Sequence, residues 1–237
     1  MKKVILLLSS LVLLLCGCVQ SDRTGENAVF TKTENGNMVS PSGVEYAHLA
    51  NEGILYYLGE LEFVGSIQGE EKSLQTGMFA IKNSDNDNIL IRRVPDNEWF
   101  SIYRKTSLPT FDFSADNCIR LEFVSGTGDI REDAIHTTCK GGICDKSEIT
   151  KFLSEVRAQE SPHDAGLYDL IKKPNGMLEN CYVYGVVYGF FEEEPNLAIR
   201  MNITSYNDLA CSISIGEDEY VLPEKLLSKL LNSKCTH

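Results

Sequence analysis

The sequence predicts an α+β fold, built mainly of antiparallel β meanders with two principal amphipathic helices. Three observations carry that prediction. Apolar and polar residues alternate with period two over much of the stretch from 44 to 123. Residues 181–191 are almost all apolar or aromatic, the mark of a covered central strand. Around Ile149 and around Leu226 the apolar residues instead recur at helical spacing.

The elements follow in chain order. Within 54–67, Leu61 and Phe63 alternate with Glu60 and Glu62, while Gly59 and Gly65 mark bends or bulges. Residues 78–81 form the next strand, and the Asn/Asp/Ser cluster at 83–88 turns the chain into Ile89-Leu90-Ile91. Pro95-Asp96-Asn97 turns it again, into a strand over 99–103. Beyond a proline-bearing loop, Ile119, Leu121 and Phe123 alternate with Arg120 and Glu122. Connections this short favour antiparallel neighbours. Asp145 can cap a helix, with Glu148 completing a capping box, and Ile149, Phe152, Leu153 and Val156 share one face. Residues 166–172 supply a further helical turn, ended by Pro174-Asn175-Gly176. After the strand at 181–191, Leu197, Ile199, Met201 and Ile203 alternate with Arg200, Asn202 and Thr204. Ile213 and Ile215 pair with Tyr220 and Val221 across Gly216-Glu217-Asp218. Pro223 opens the last helix as a first-turn proline, with Leu226, Leu227, Leu230 and Leu231 as its buried stripe.

The N-terminus has a different character. Met1-Lys2-Lys3 precedes an apolar run at 4–15 and small residues before Cys18, the layout of a secretory signal peptide. The run is too short for a bilayer span, which takes ~20 residues. Leu15-Cys16-Gly17-Cys18 resembles the lipobox of bacterial lipoproteins. The resemblance implies cleavage before Cys18, a diacylglyceryl group on its thiol, and a chain held by acyl tails on the extracytoplasmic face of the cell membrane. Two acyl chains suffice for firm attachment where one does not. The chain then divides into a signal peptide at 1–17, a flexible polar tether at 18–43 and a globular domain at 44–237, the last divisible into halves at 44–160 and 161–237. The globular part resembles small exported lipoproteins of unknown role.

Composition narrows the partners. The formal net charge is −12, with 34 acidic residues against 22 basic ones. Loss of Lys2 and Lys3 with the signal makes it about −14. Such a surface disfavours nucleic acid and anionic head groups. The expected partners are the membrane, through lipid on Cys18, and a solute or an envelope protein. Of eight cysteines, six lie beyond the lipobox: Cys118, Cys139, Cys144, Cys181, Cys211 and Cys235. Cys139 and Cys144 flank a Gly-Gly pair and are a candidate disulfide if that pair turns the chain.

Catalytic signals are sparse. The sequence holds no Gly-x-Ser-x-Gly elbow, no His-Glu-x-x-His and no phosphate-binding glycine loop. His136 near Cys139 is too local for a usual Cys/His dyad. The cluster at 83–88 lacks the glycine and glutamate of a calcium loop, and Glu192-Glu193-Glu194 reads as a solvated turn. No metal or cofactor is called for. Tyr182, Tyr184, Tyr188 and Phe190 share one strand face by parity, giving a candidate binding face if no helix covers them. The expected function is therefore a non-enzymatic binding or accessory role in the envelope. The alternative is a lipid-anchored hydrolase with a site assembled from distant residues, such as the carboxylates Asp112 and Asp116.

Overall fold

The computed structural model describes residues 28–49, 55–70, 76–82, 84, 87–93, 100–126, 139–171 and 181–233. Residues 1–17, Cys18, Trp99, His136 and Cys235 lie outside them. In chain order the strands are β1 (Val29–Lys32), β2 (Met38–Val39), β3 (Glu45–His48), β4 (Leu55–Tyr57), β5 (Leu61–Ile67), β6 (Gly77–Ile81), β7 (Ile89–Arg93), β8 (Phe100–Lys105), β9 (Arg120–Ser125) and β10 (Cys139–Ile143). Helix α1 (Lys146–Arg157) follows, then β11 (Cys181–Phe190), β12 (Leu197–Tyr206), β13 (Ala210–Ile215), β14 (Asp218–Val221) and helix α2 (Glu224–Asn232). The α+β class with mostly antiparallel pairing holds.

The first sheet is not an open meander. It closes into a barrel in the order β1-β2-β3-β8-β7-β6-β5. Closure comes from a parallel pairing of β1 with β5, Val29 opposite Ser66 and Phe30 opposite Ile67. Each of the seven strands sends an apolar residue to one interior cluster: Phe30, Met38, Tyr46, Val64, Met78, Leu90 and Tyr103. Residues 28–43 are therefore not tether. They form the hairpin β1-β2 and the turn into β3, in which Phe30 and Met38 are fully buried. The polar residues that suggest a tether are turn residues, with Gly36 and Gly43 at positive φ.

Gly65 is needed for closure. A Cβ there would stand 2.8 Å from both the Ala28 carbonyl oxygen and Phe30 Cε2, inside the β1-β5 seam. The β5-β6 register shifts between Phe63 and Gly65, the bulge that the sequence marks with glycine. Gly65→Val is expected to cost about 1–3 kcal/mol. In hydrogen exchange, protection should be lost first in β1; uniform loss across all strands would argue against a local role for the seam.

The second sheet runs β10-β9-β11-β12-β13-β14, with β4 paired to the first part of β12. Helix α1 begins as its sequence dictates: the Asp145 carboxylate accepts the Glu148 backbone N–H at 2.9 Å. Pro223 takes the cap position of α2, one residue earlier than a first-turn proline. One continuous core joins all the layers. It includes Phe79, Ile91 and Ile102 from the outer wall of the barrel, Leu121, Phe123, Val187 and Met201 from the sheet, and Phe152 and Leu230 from the helices. The division at 160/161 is thus not structural, because β9, β10 and α1 belong with β11–β14, and β4 crosses over from the N-terminal segment. Among the described residues no helix is long and apolar enough to cross a membrane.

Candidate functional site

The predicted aromatic face does not form as a unit. The β11-β12 register shifts between Val183 and Gly185, and the extra residue reverses the alternation of side chains. Tyr184 consequently joins the main core, stacked on Phe123 with ring centroids 6.0 Å apart. Tyr188 and Phe190 point into a separate cluster, with exposures of 1% and 6%. Tyr182 stands at the strand end, 46% exposed, its hydroxyl donating to Asp208. A Cβ at Gly185 would lie 2.3 Å from Phe123 Cε2, so close packing favours glycine at the bulge.

What the registers do assemble is a mixed face of arginine, carboxylate and aromatic residues. Across β9, β11 and β12, Glu122, Tyr188 and Arg200 stand in one row. In the adjoining row Arg120, Phe190, Ala198 and Tyr56 follow one another, with Tyr56 supplied by β4. Arg120 Nε lies 2.9 Å from Glu122 Oε1, and its guanidinium sits 4.2 Å above the Phe190 ring. Arg200 donates from Nη1 to the Tyr56 hydroxyl at 2.7 Å and from Nε to Asn202 Oδ1 at 2.8 Å. Tyr56 in turn meets Tyr188 edge-on at 6.3 Å. Glu122 is fully buried, whereas Arg120, Arg200, Asn202 and Tyr56 are half-buried. The two guanidinium groups are held by planar neighbours and retain partial access to solvent. Such groups suit planar anionic or carbonyl-bearing ligands. Arg120, Glu122 and Arg200 are legible in the sequence only as the polar positions of alternating strands; the pairing of β4 with β12 gives no sequence signal.

The candidate carboxylates of the hydrolase reading do not converge on a substrate position. Asp112 accepts from Ser114 Oγ at 2.9 Å and from Asn117 Nδ2 at 3.1 Å, closing its own loop. Asp116 is gripped by both Arg157 nitrogens at 2.7 and 2.9 Å. That hydrogen-bonded pair outweighs partial burial and holds the Asp116 carboxyl below its ordinary value. Its contribution to stability is thus complete above the unfolded aspartate value of ~3.9 and is lost as pH falls through the lower folded value. Asp116 is 54% exposed, so solvent screening should keep this below about 1 kcal/mol. Asp116→Asn should flatten the acid limb of a plot of urea midpoint against pH below ~4; an unchanged slope would remove the pair from the account.

No family model, curated protein or solved structure matches the chain significantly. Physical chemistry alone therefore speaks to the remaining candidates. Cys118 is fully buried, and burial pushes its thiol up to about 12, which leaves it protonated and unreactive at neutral pH. Ser212, also fully buried, donates to Glu219, which accepts the Tyr206 hydroxyl at 3.0 Å as well. Burial raises the Tyr206 hydroxyl, so it stays a donor, and the cluster ties β12, β13 and β14 together. Glu194 is not solvated as its run of like charges suggests. It is 7% exposed and pairs with Arg104 of β8 at 2.8 Å. Cys139 and Cys144 do not flank a turn either. Residues 139–143 are a strand whose ends align with Val124 and Leu121 of β9, three residues apart, or about 10 Å. Cys144 is disulfide-bonded.

Proposed function

We propose that this chain is an exported lipoprotein of the bacterial cell envelope, attached by lipid on Cys18, whose folded part binds a solute or an envelope protein without transforming it. The observation that carries the reading is Leu15-Cys16-Gly17-Cys18 behind a charged start and a short apolar run. The disulfide at Cys144 supports export, because such bonds persist mainly in extracytoplasmic compartments. The first described strand begins at Val29, eleven positions after Cys18. An acidic surface of net charge about −14 keeps the body off an anionic bilayer and leaves attachment to the acyl chains. The half-buried face of Arg120, Arg200 and Tyr56 is the surface we assign to ligand binding.

Detergent phase partition tests the anchor. The native protein should enter the detergent phase, and its mature N-terminal peptide should begin at Cys18 with added diacylglyceryl mass. Cys18→Ser should move the protein to the aqueous phase. An intact N-terminus, an unmodified Cys18, or equal membrane retention of the Cys18→Ser protein would overturn the proposal.

A further inference from the structure

Taking the arginine and aromatic face as the binding surface assigned above, we propose that its ligand is a small organic monocarboxylate held at Arg200. Arg200 is a half-buried cation whose described partners are all neutral. They are the Tyr56 hydroxyl at 2.7 Å, the Asn202 amide oxygen at 2.8 Å and the Tyr56 ring, whose centroid is 5.3 Å away. Among the described residues no carboxylate pairs with it, although the chain carries 34 acidic residues against 22 basic ones. Arg120 differs, because the buried Glu122 balances it at 2.9 Å. Within the two rows, one positive charge is therefore left for a ligand to meet.

The hydrogen bonds point to the same chemistry. Arg200 takes up an acceptor on each neighbour, the Tyr56 oxygen and Asn202 Oδ1. What remains is a set of donors: Arg200 Nη2, the Tyr56 O–H and Asn202 Nδ2, none of which donates to another described residue. Donors beside a fixed guanidinium suit the lone pairs of a carboxylate, and such bonds are charge-assisted. Arg200 is already held by two bonds, so little side-chain freedom is lost on binding. A dianion such as phosphate brings more negative charge than the rows balance. A protein partner needs an apolar contact core within about 800 Å² of surface. Tyr188 and Phe190, at 1% and 6% exposure, leave little apolar area for one.

Calorimetric titration of the mature protein with benzoate, its neutral counterpart benzamide, and inorganic phosphate tests this. Benzoate should bind saturably, with benzamide and phosphate at least about tenfold weaker. Arg200→Gln should weaken benzoate about tenfold or more, and Tyr56→Phe, which keeps the ring, about threefold. Lys151→Gln, on the exposed side of α1, should leave binding unchanged. If Arg200→Gln melts too early to be titrated, Tyr56→Phe carries the test. Benzamide binding as tightly as benzoate, with both weakened by Arg200→Gln, would overturn the carboxylate and leave the face as a binding surface. Benzoate binding that neither Arg200→Gln nor Tyr56→Phe weakens would overturn both. If no probe binds, the carboxylate is overturned. Cross-linking of an envelope protein through a photoreactive residue in place of Asn202 would then give the face a protein partner, and no cross-link would overturn the face as well.

Discussion

Replacing Glu194 with alanine is expected to destabilise the fold by about 3 kcal/mol. Glu194 and Arg104 are 8% and 12% exposed at their side chains and 2.8 Å apart. Removing the carboxylate leaves a guanidinium in a site that water scarcely reaches, its remaining hydrogen bond among the described residues being to the Pro109 carbonyl at 2.6 Å. The pair also links two parts of the molecule: Arg104 belongs to the barrel strand β8, and Glu194 to the turn between β11 and β12. Urea denaturation should show the loss for Glu194→Ala, while Glu192→Ala and Glu193→Ala, on exposed neighbours, stay within ~0.5 kcal/mol of the native protein. The double change Arg104→Met with Glu194→Leu should recover most of the loss, because an apolar pair of similar volume avoids both desolvation penalties. A Glu194→Ala protein as stable as the native one would mean that the site is hydrated and the link dispensable.

Phe152→Ala should cost about as much or more, about 3–5 kcal/mol, by a different mechanism. Phe152 is fully buried at the centre of the inner face of α1, among Ile149, Leu153 and Val156. Truncation removes a ring from the cluster that also holds sheet and barrel residues, so the cavity opens where three layers meet. The surrounding strands are fixed by their ladders and can collapse only partly into the gap. Lys151→Ala, one residue away on the exposed side with a 4.0 Å pair to Glu155, is the control and should be nearly neutral. If the two variants unfold at the same urea concentration, α1 is not part of the common core.

Elements whose two faces differ in polarity are legible in the sequence. Helix α1 carries its cap and its stripe in a dozen consecutive residues, and both lie where those residues predict. The strand pairs joined by short turns, β6-β7 and β13-β14, are equally readable. The face proposed for binding is not. Counting in twos puts Tyr182, Tyr184, Tyr188 and Phe190 on one side, and a single bulge between Val183 and Gly185 undoes the count. The arginines that do line the face look, in the sequence, like the ordinary wet side of a strand. Glu194 escapes the same kind of reading. A run of charges is judged by its immediate neighbours, whereas the partner of Glu194 is Arg104, ninety positions away.

The two helices and most strands beyond β2, though not β10, follow from side chains within a few positions of one another, as do the acidic composition and the lipobox-like start. Periodicity, capping and turn chemistry act at that range, so the linear chain suffices to specify them. The parallel β1-β5 seam that closes the first sheet, the crossing of β4 to the second sheet and the burial of particular charges belong to the folded molecule alone. Each of these is a long-range contact selected by how surfaces fit together. A single inserted residue or an absent Cβ changes that fit without altering the local pattern.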